Sequence, residues 1–400
     1  MSTLMGAVER LRGRGQLPSS GTVSVKDLLH RFQPSPKGSV RALLLKMFGS
    51  VSEKHPWAVI LCRFKGSIPD AAVEGPIERF YREAFTPGSG GLVEYWRDVS
   101  LGVIDITGSR VFGWVEVEIP RDKAGGSPTS VPPGPGRSGL IDYAVNALKR
   151  SEGDDALKGF LGPIAVYTQN WSKDGAPAGA DWSTPGWFPF WIDGSADGSG
   201  RVGVTPPHNG NITAHEMGHV FGMNHDVDSD LETDYRDPCC IMSQNGPFIH
   251  PTWQRNFGPA VCLPHLMQRD WMYKRRVYYD NGDWLSQANG ITLPLAPNID
   301  PIARANLGIK LAYKQGETTW DYYLEYVRAT GWNQGIGQSF LFIRRIAPKY
   351  GGTPAILGSM VVPSALGARA AFVEPSGNVR FQVERFDADG RIVKVSAKKL

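Results

Sequence analysis

Apolar and polar residues change rhythm several times along this chain, and each change predicts an element. "WAVILCRF" (57–64) is an unbroken apolar run with β-branched members, the pattern of a buried strand. In "AVEGPIERFYREAF" (72–85), Ile77, Phe80, Tyr81 and Phe85 recur at helical spacing. "GLVEYWRDVSLG" (91–102) predicts a second helix, leading into strands "VIDIT" and "VFGWVEVEI". "SGLIDYAVNALKR" (138–150) is amphipathic, with a serine in N-cap position. "GPIAVYTQ" (162–169) and "WFPFWID" (187–193) read as strands. Pro189 suits the second to a sheet edge, where a missing donor does least harm. "GPAVCLPHLMQRDWM" (258–272) reads as a helix ending in an aromatic. Residues 275–400 then alternate in short segments, among them "RVYYD", "ITLPLAP", "IKLAYK", "WDYYLEYVRA", "SFLFIRRIAP", "VRFQVERFD" and "IVKVSA". Turn residues separate them at the spacing of an all-β sandwich. Three regions are expected: an extension or propeptide (1–50), a strand-and-helix block (51–274) and a β-region with its own core (275–400).

Chemistry concentrates in "HEMGHVFGMNHD" (215–226), which holds three of the chain's eight histidines. On a helix, residues four apart share a face, so His215 and His219 can each turn one imidazole nitrogen toward a single point. Glu216 leans toward the same place without being a ligand. Gly222 can take the left-handed conformation that ends a helix and turns the chain, which brings His225 back as a third ligand. Three neutral imidazoles and an open fourth position are the set of a catalytic zinc, not of a closed structural one. Glu216 can then take a proton from an attacking water and hand it to a leaving amine. Asp226, beside the third histidine, reads as a structural carboxylate rather than a ligand.

The pattern HExxHxxGxxHD resembles the metzincin metallopeptidase signature at every fixed position. "PCCIMSQNG" (238–246) is similar to the methionine turn of the reprolysin-type metzincins, with Met242 as a floor under the imidazoles. Some metzincins carry a tyrosine two residues after that methionine; here the position is Gln244, so no fifth protein ligand is expected. "YYLEYVRATGWNQGIGQSFLFIRRI" is loosely similar to the β-domain segment of immune inhibitor A and gametolysin-like peptidases. The segment 258–272 is similar to the helix those proteins place between their two domains. The resemblance implies an α+β architecture. A metzincin-like catalytic domain, a mixed sheet with an active-site helix, would be followed by an all-β sandwich-like domain. It further implies one catalytic Zn2+, hydrolysis of peptide bonds in protein or peptide substrates, and a secreted or extracellular setting. The alternative is a metzincin-like binding or adhesion module with weak catalysis, against which the intact Glu216 argues.

Composition narrows the picture further. Of 400 residues, 47 are glycine and 30 proline, which implies many turns. The net charge of +4 gathers in residues 1–50, where eight Lys/Arg stand against two acids. No basic stripe with interleaved aromatics occurs, so nucleic acid is not an expected partner. No run approaches the roughly 20 apolar residues of a membrane span. The opening "MSTLMGAVERLRGRGQLPSSG" shows no apolar core of a secretory signal. "DVDSDLETDYRD" (226–237) alternates acids like a calcium loop, but Leu231 stands where the sharp turn needs glycine. An EF-hand is excluded, and an irregular Ca2+ site or a solvated acidic loop stay open. "GPGRSG" (134–139) formally matches a nucleotide-binding loop but follows no strand. "NWS" (170–172) and "NIT" (211–213) fit the glycosylation sequon, though Thr213 reads better as the N-cap of the histidine helix. Cys62 lies in the first buried strand. Cys239 or Cys240 could pair with Cys262, or all four cysteines could be free; CC…C lacks the CxxC pair of common zinc sites. The β-region holds neither histidine nor cysteine, so its role is support or substrate recruitment. Its Trp320, Tyr322, Tyr323, Tyr326 and Trp332 suit core packing better than a binding platform.

Overall fold

β1 (Glu53–Lys54) leads into β2 (Trp57–Arg63), whose residues Trp57–Cys62 are all buried. The computed structural model describes residues 53–124, 134–168, 200–204, 210–227, 237–243, 257–315, 318–347 and 352–400. These fall in the unit Glu53–Leu400, the other unit being Met1–Ser52. The expected extension (1–50), the strand at 187–193, the sequon at 170–172, acidic residues 228–236 and Gln244 lie outside the described residues. No helix among the described residues is long and apolar enough to cross a membrane.

α1 (Ala71–Ala84) starts where Asp70 accepts a hydrogen bond from Ala72 N at 2.9 Å, an N-cap that satisfies one orphan donor. α2 (Leu92–Val99), β3 (Ile104–Asp105), β4 (Arg110–Glu116), α3 (Gly136–Glu152), β5 (Gly162–Tyr167), β6 (Val202–Val204), α4 (Gly210–Val220) and α5 (Leu263–Gln268) follow. The sheet runs β4–β2–β5–β6. Every pairing among these described strands is parallel, where a mixed sheet was expected. β2 shows why its sequence is apolar throughout. Trp57, Val59 and Leu61 face one core with Tyr81, Trp96 and Met242. Ala58, Ile60 and Cys62 face another with Leu140, Ala144 and Leu148 of α3. A parallel strand covered on both sides has no polar face to alternate with.

Three boundaries differ from the sequence reading. α3 starts at Gly136, so Ser138 lies inside the helix and is not its cap. α4 starts at Gly210, and Thr213 is buried within it, where it hydrogen-bonds Tyr81. α5 covers only Leu263–Gln268 of the helix expected at 258–272. Pro264 sits at its start, where the missing N–H does no harm, and Asp270 leaves helical geometry with φ +55°.

The β-region comprises β7 (Val277–Asp280), β8 (Ile291–Leu295), β9 (Gly308–Gln315), β10 (Thr318–Val327), β11 (Phe340–Ala347), β12 (Thr353–Val361), β13 (Arg369–Val373), β14 (Val379–Arg385) and β15 (Val393–Lys399). One sheet runs β12–β11–β10–β9–β7 and the other β13–β14–β15–β8, and a shared apolar core lies between them. Tyr322 of the first meets Phe381 of the second with ring centroids 5.2 Å apart. β12 and β13 escaped the pattern analysis: Gly358 and Pro354 interrupt the one, and paired alanines, Ala370 and Ala371, blur the alternation of the other.

β10 is buried on both faces. Tyr322, Leu324 and Tyr326 point into the sandwich core. Tyr323 joins the core of the sheet-and-helix half, and so does Trp332 beyond the strand, so these aromatics form no exposed platform. Trp332 Nε1 also donates to Asp98 Oδ2 of α2 at 3.1 Å. Between them, on the same face as Tyr323, Glu325 is fully buried. It pairs with Arg344 of β11, and Arg344 pairs in turn with buried Asp237. The second Glu325 oxygen accepts from Leu263 N at 2.6 Å and from Asn298 Nδ2 at 2.8 Å. Burial pushes the Asp237 carboxyl up to about 6, against the pull of Arg344.

Arg344→Met leaves two buried carboxylates without their cation and should cost about 3–5 kcal/mol of stability. Urea unfolding measures it; a loss under about 1 kcal/mol would show that water or another cation takes over. A chain ended at Asp280 lacks Glu325 and Arg344 and should not fold, read by circular dichroism and protease sensitivity. A folded, active fragment would instead make the β-region dispensable.

Candidate metal centre

α4 carries His215, Glu216 and His219, with His215 and His219 on one face. Phe221 follows, and Gly222 takes φ +81°. Gly222 N donates to His219 O at 2.7 Å and Met223 N to Gly218 O at 3.1 Å. This pair of bonds is a Schellman motif, and the left-handed residue at its centre is tolerated best as glycine. The reversal returns Met223 O to His219, whose Nδ1 lies 2.9 Å away. Two residues on, His225 reaches the pair: its Nε2 is 3.0 Å from His219 Nε2. The three imidazole centroids stand 4.6 to 5.2 Å apart, and each ring offers one nitrogen within 4.8 Å of the others.

The methionine turn closes the site from the far side. Ile241 N donates to Ala260 O and Ser243 N to Cys240 O. Ile241 O lies 2.7 Å from His215 Nδ1. A carbonyl only accepts, so His215 and His219 both carry their proton on Nδ1, which leaves Nε2 as the ligand atom. Met242 is fully buried against α4. A Cβ at Gly218 would overlap its sulfur, so a residue without a side chain is what lets the methionine come this close. Asp226 N points at Met242 O at 3.4 Å, tying the third-histidine loop to the same turn.

Electrostatics suit a cation. Burial, then the neighbouring imidazoles, hold the His215 pKa well below its usual value. Burial and His225 push His219 down to about 4. Both rings are neutral at pH 7, the form that binds metal. Glu216 is buried beside His215. The chemistry available is a tri-imidazole metal set, with a buried carboxylate on the residue that follows the first histidine. Residues 178–255 match the sequence model of Reprolysin_5, metallo-peptidase family M12. A comparison with curated proteins returns no match. The matched stretch contains all three histidines, Glu216 and Met242, and the similarity supports a metallopeptidase.

His215, His219 and His225 thus come together, Gly222 makes the turn between them, Met242 packs against Gly218, and Glu216 is buried beside His215 in the chain, while Asp226 faces His265. It is fully buried, with Oδ1 3.0 Å from His265 Nε2. Nothing among the described residues supports calcium, since the two ends of the acidic stretch, Asp226 and Asp237, face His265 and Arg344 in the interior. All four cysteines are buried free thiols, so no disulfide braces the turn. Sequence reasoning passed over His265 and the Asp237–Arg344–Glu325 group. The spacing Cys262-Leu-Pro-His265, a CxxH pair, was the available signal for the first.

Gly218→Ala in an ordinary helix would stabilise by up to about 1 kcal/mol. Here it should lower the thermal midpoint, because Met242 must move. A raised midpoint would show that the sulfur is not pressed against the helix.

Proposed function

We propose that the chain is a zinc-dependent endopeptidase of the metzincin type, with His215, His219 and His225 as ligands and Glu216 as general base. The observation that carries this reading is the convergence of three imidazoles, two oriented through Nδ1 by Ile241 O and Met223 O, with the buried Glu216 next in the chain to His215. A zinc ion held there supplies Lewis acidity to a peptide carbonyl and to an attacking water. The Glu216 carboxylate takes one proton from that water as its oxygen bonds to the carbonyl carbon. It then delivers the proton to the amide nitrogen, which leaves as an amine. Met242 and Gly218 keep the two ligand-bearing segments in register, and Asp226 anchors the loop behind His225.

Peptide cleavage measured with and without chelator tests the activity: hydrolysis of casein should stop when metal is removed. Glu216→Ala should retain its zinc and lose about 10²–10⁴-fold in turnover. Wild-type turnover in that variant would remove Glu216 from the reaction. His219→Ala should bind one zinc fewer per chain, measured by elemental analysis. Zinc bound at this site with no cleavage of any protein substrate would favour a binding module.

A further inference from the structure

Four further side chains meet behind the third histidine, and the proposed reaction uses none of them. Asp226, Cys240, Cys262 and His265 each offer one ligand atom, all within 4.8 Å of one another. They come from three segments: the loop after α4, the methionine turn, and α5, where Cys262 is the N-cap residue and His265 lies in the first turn. All four are fully or almost fully buried.

The four ligand atoms lie close enough together to share one ion. His265 Nε2 lies 3.0 Å from Asp226 Oδ1, and Cys262 Sγ lies 3.8 Å from the same oxygen. A tetrahedral zinc with bonds of about 2.0–2.3 Å separates its ligand atoms by roughly 3.3–3.8 Å. Asp226 Oδ2 and His265 Nδ1 have no hydrogen-bond partner among the described residues, and His265 Nε2 has only its contact with Asp226 Oδ1. A buried imidazole and carboxylate left so are costly unless something else satisfies them. The Cys262 N–H points at Cys240 Sγ at 3.4 Å, a donor set to stabilise a thiolate. Arg344 is close enough to act on both Cys262 and Asp226, which offsets the negative charge that two thiolates and a carboxylate would gather.

We propose that Asp226, Cys240, Cys262 and His265 form a second zinc site, closed and structural, distinct from the three-histidine site. Two sulfurs, one nitrogen and one oxygen fill a tetrahedral shell with nothing open for substrate. Binding releases both thiol protons to solvent. The ion ties the third-histidine loop, the methionine turn and α5 together at one point. A disulfide between Cys240 and Cys262 would use the same sulfurs and is its direct rival.

Zinc content and zinc X-ray absorption on the purified full chain, grown with zinc, decide the matter. The three-histidine site has no sulfur, so sulfur neighbours near 2.3 Å report on the second site alone. Two zinc ions per chain are expected, with an average of about one sulfur neighbour per zinc, given two thiolates shared over two ions. Cys262→Ser should lose one zinc and the sulfur signal. His219→Ala should lose one zinc and keep it. A single zinc that has sulfur neighbours supports this site and counts against the three-histidine site as a zinc site. Wild-type protein without sulfur neighbours overturns the proposal, and so does a thiol assay on the denatured, unreduced chain that finds Cys240 joined to Cys262. If Cys262→Ser fails to fold, the wild-type spectrum and thiol assay decide alone.

Discussion

The arrangement of this molecule depends on one buried cation. Arg344 reaches from β11 to Asp237 on one side and Glu325 on the other, with all three side chains fully buried. Asp237 in turn organises the methionine turn: its Oδ1 accepts from Cys239 N at 2.8 Å and its own N–H donates to Ser243 Oγ at 2.7 Å. That turn presents Ile241 O to His215. A side chain of the β-sandwich is therefore linked, through three hydrogen-bonded steps, to the orientation of a histidine on α4. Isolated buried ion pairs are weak sources of stability because desolvation offsets the Coulomb attraction. Their effect here is positional, since Arg344 is the only cation paired with either carboxylate among the described residues.

β10 extends the same constraint. Its alternate residues serve two cores, Tyr322, Leu324 and Tyr326 on one face and Tyr323 on the other. Glu325 projects between the halves and binds Leu263 N at the start of α5. The apolar core around the histidine helix continues through Val277, Ala296, Leu307 and Trp332 without a break at residue 274. The β-region supports the histidine site by contact, whatever else it does.

Much of this was readable in the sequence, for physical reasons that also mark where reading stopped. β2 declares itself because both its faces are buried, and α4 because four-residue spacing is the signature of one helix face. Gly222 is legible because few residues tolerate its φ of +81°. By contrast Arg344 looks like any charged residue of an alternating strand, and only the register of β10, β11 and the methionine turn reveals its two partners. Asp226 and His265 are thirty-nine residues apart in the chain, so no local period connects them. The helix at 258–272 was overextended because Pro264 permits a helix to begin as readily as it forbids one to continue.

The acceptors that orient His215 and His219 are both main-chain carbonyls, Ile241 O and Met223 O. Every residue type brings the same carbonyl, so no side-chain replacement at positions 241 or 223 deletes either acceptor outright. An aspartate or asparagine in that role would be one codon change from loss. The tautomer of these rings is thus insulated from point mutation and answers only to the path of the backbone. Sequence drift can reshape the walls around the histidines, and with them what the site accepts, while the direction in which the rings present their nitrogens is inherited unchanged.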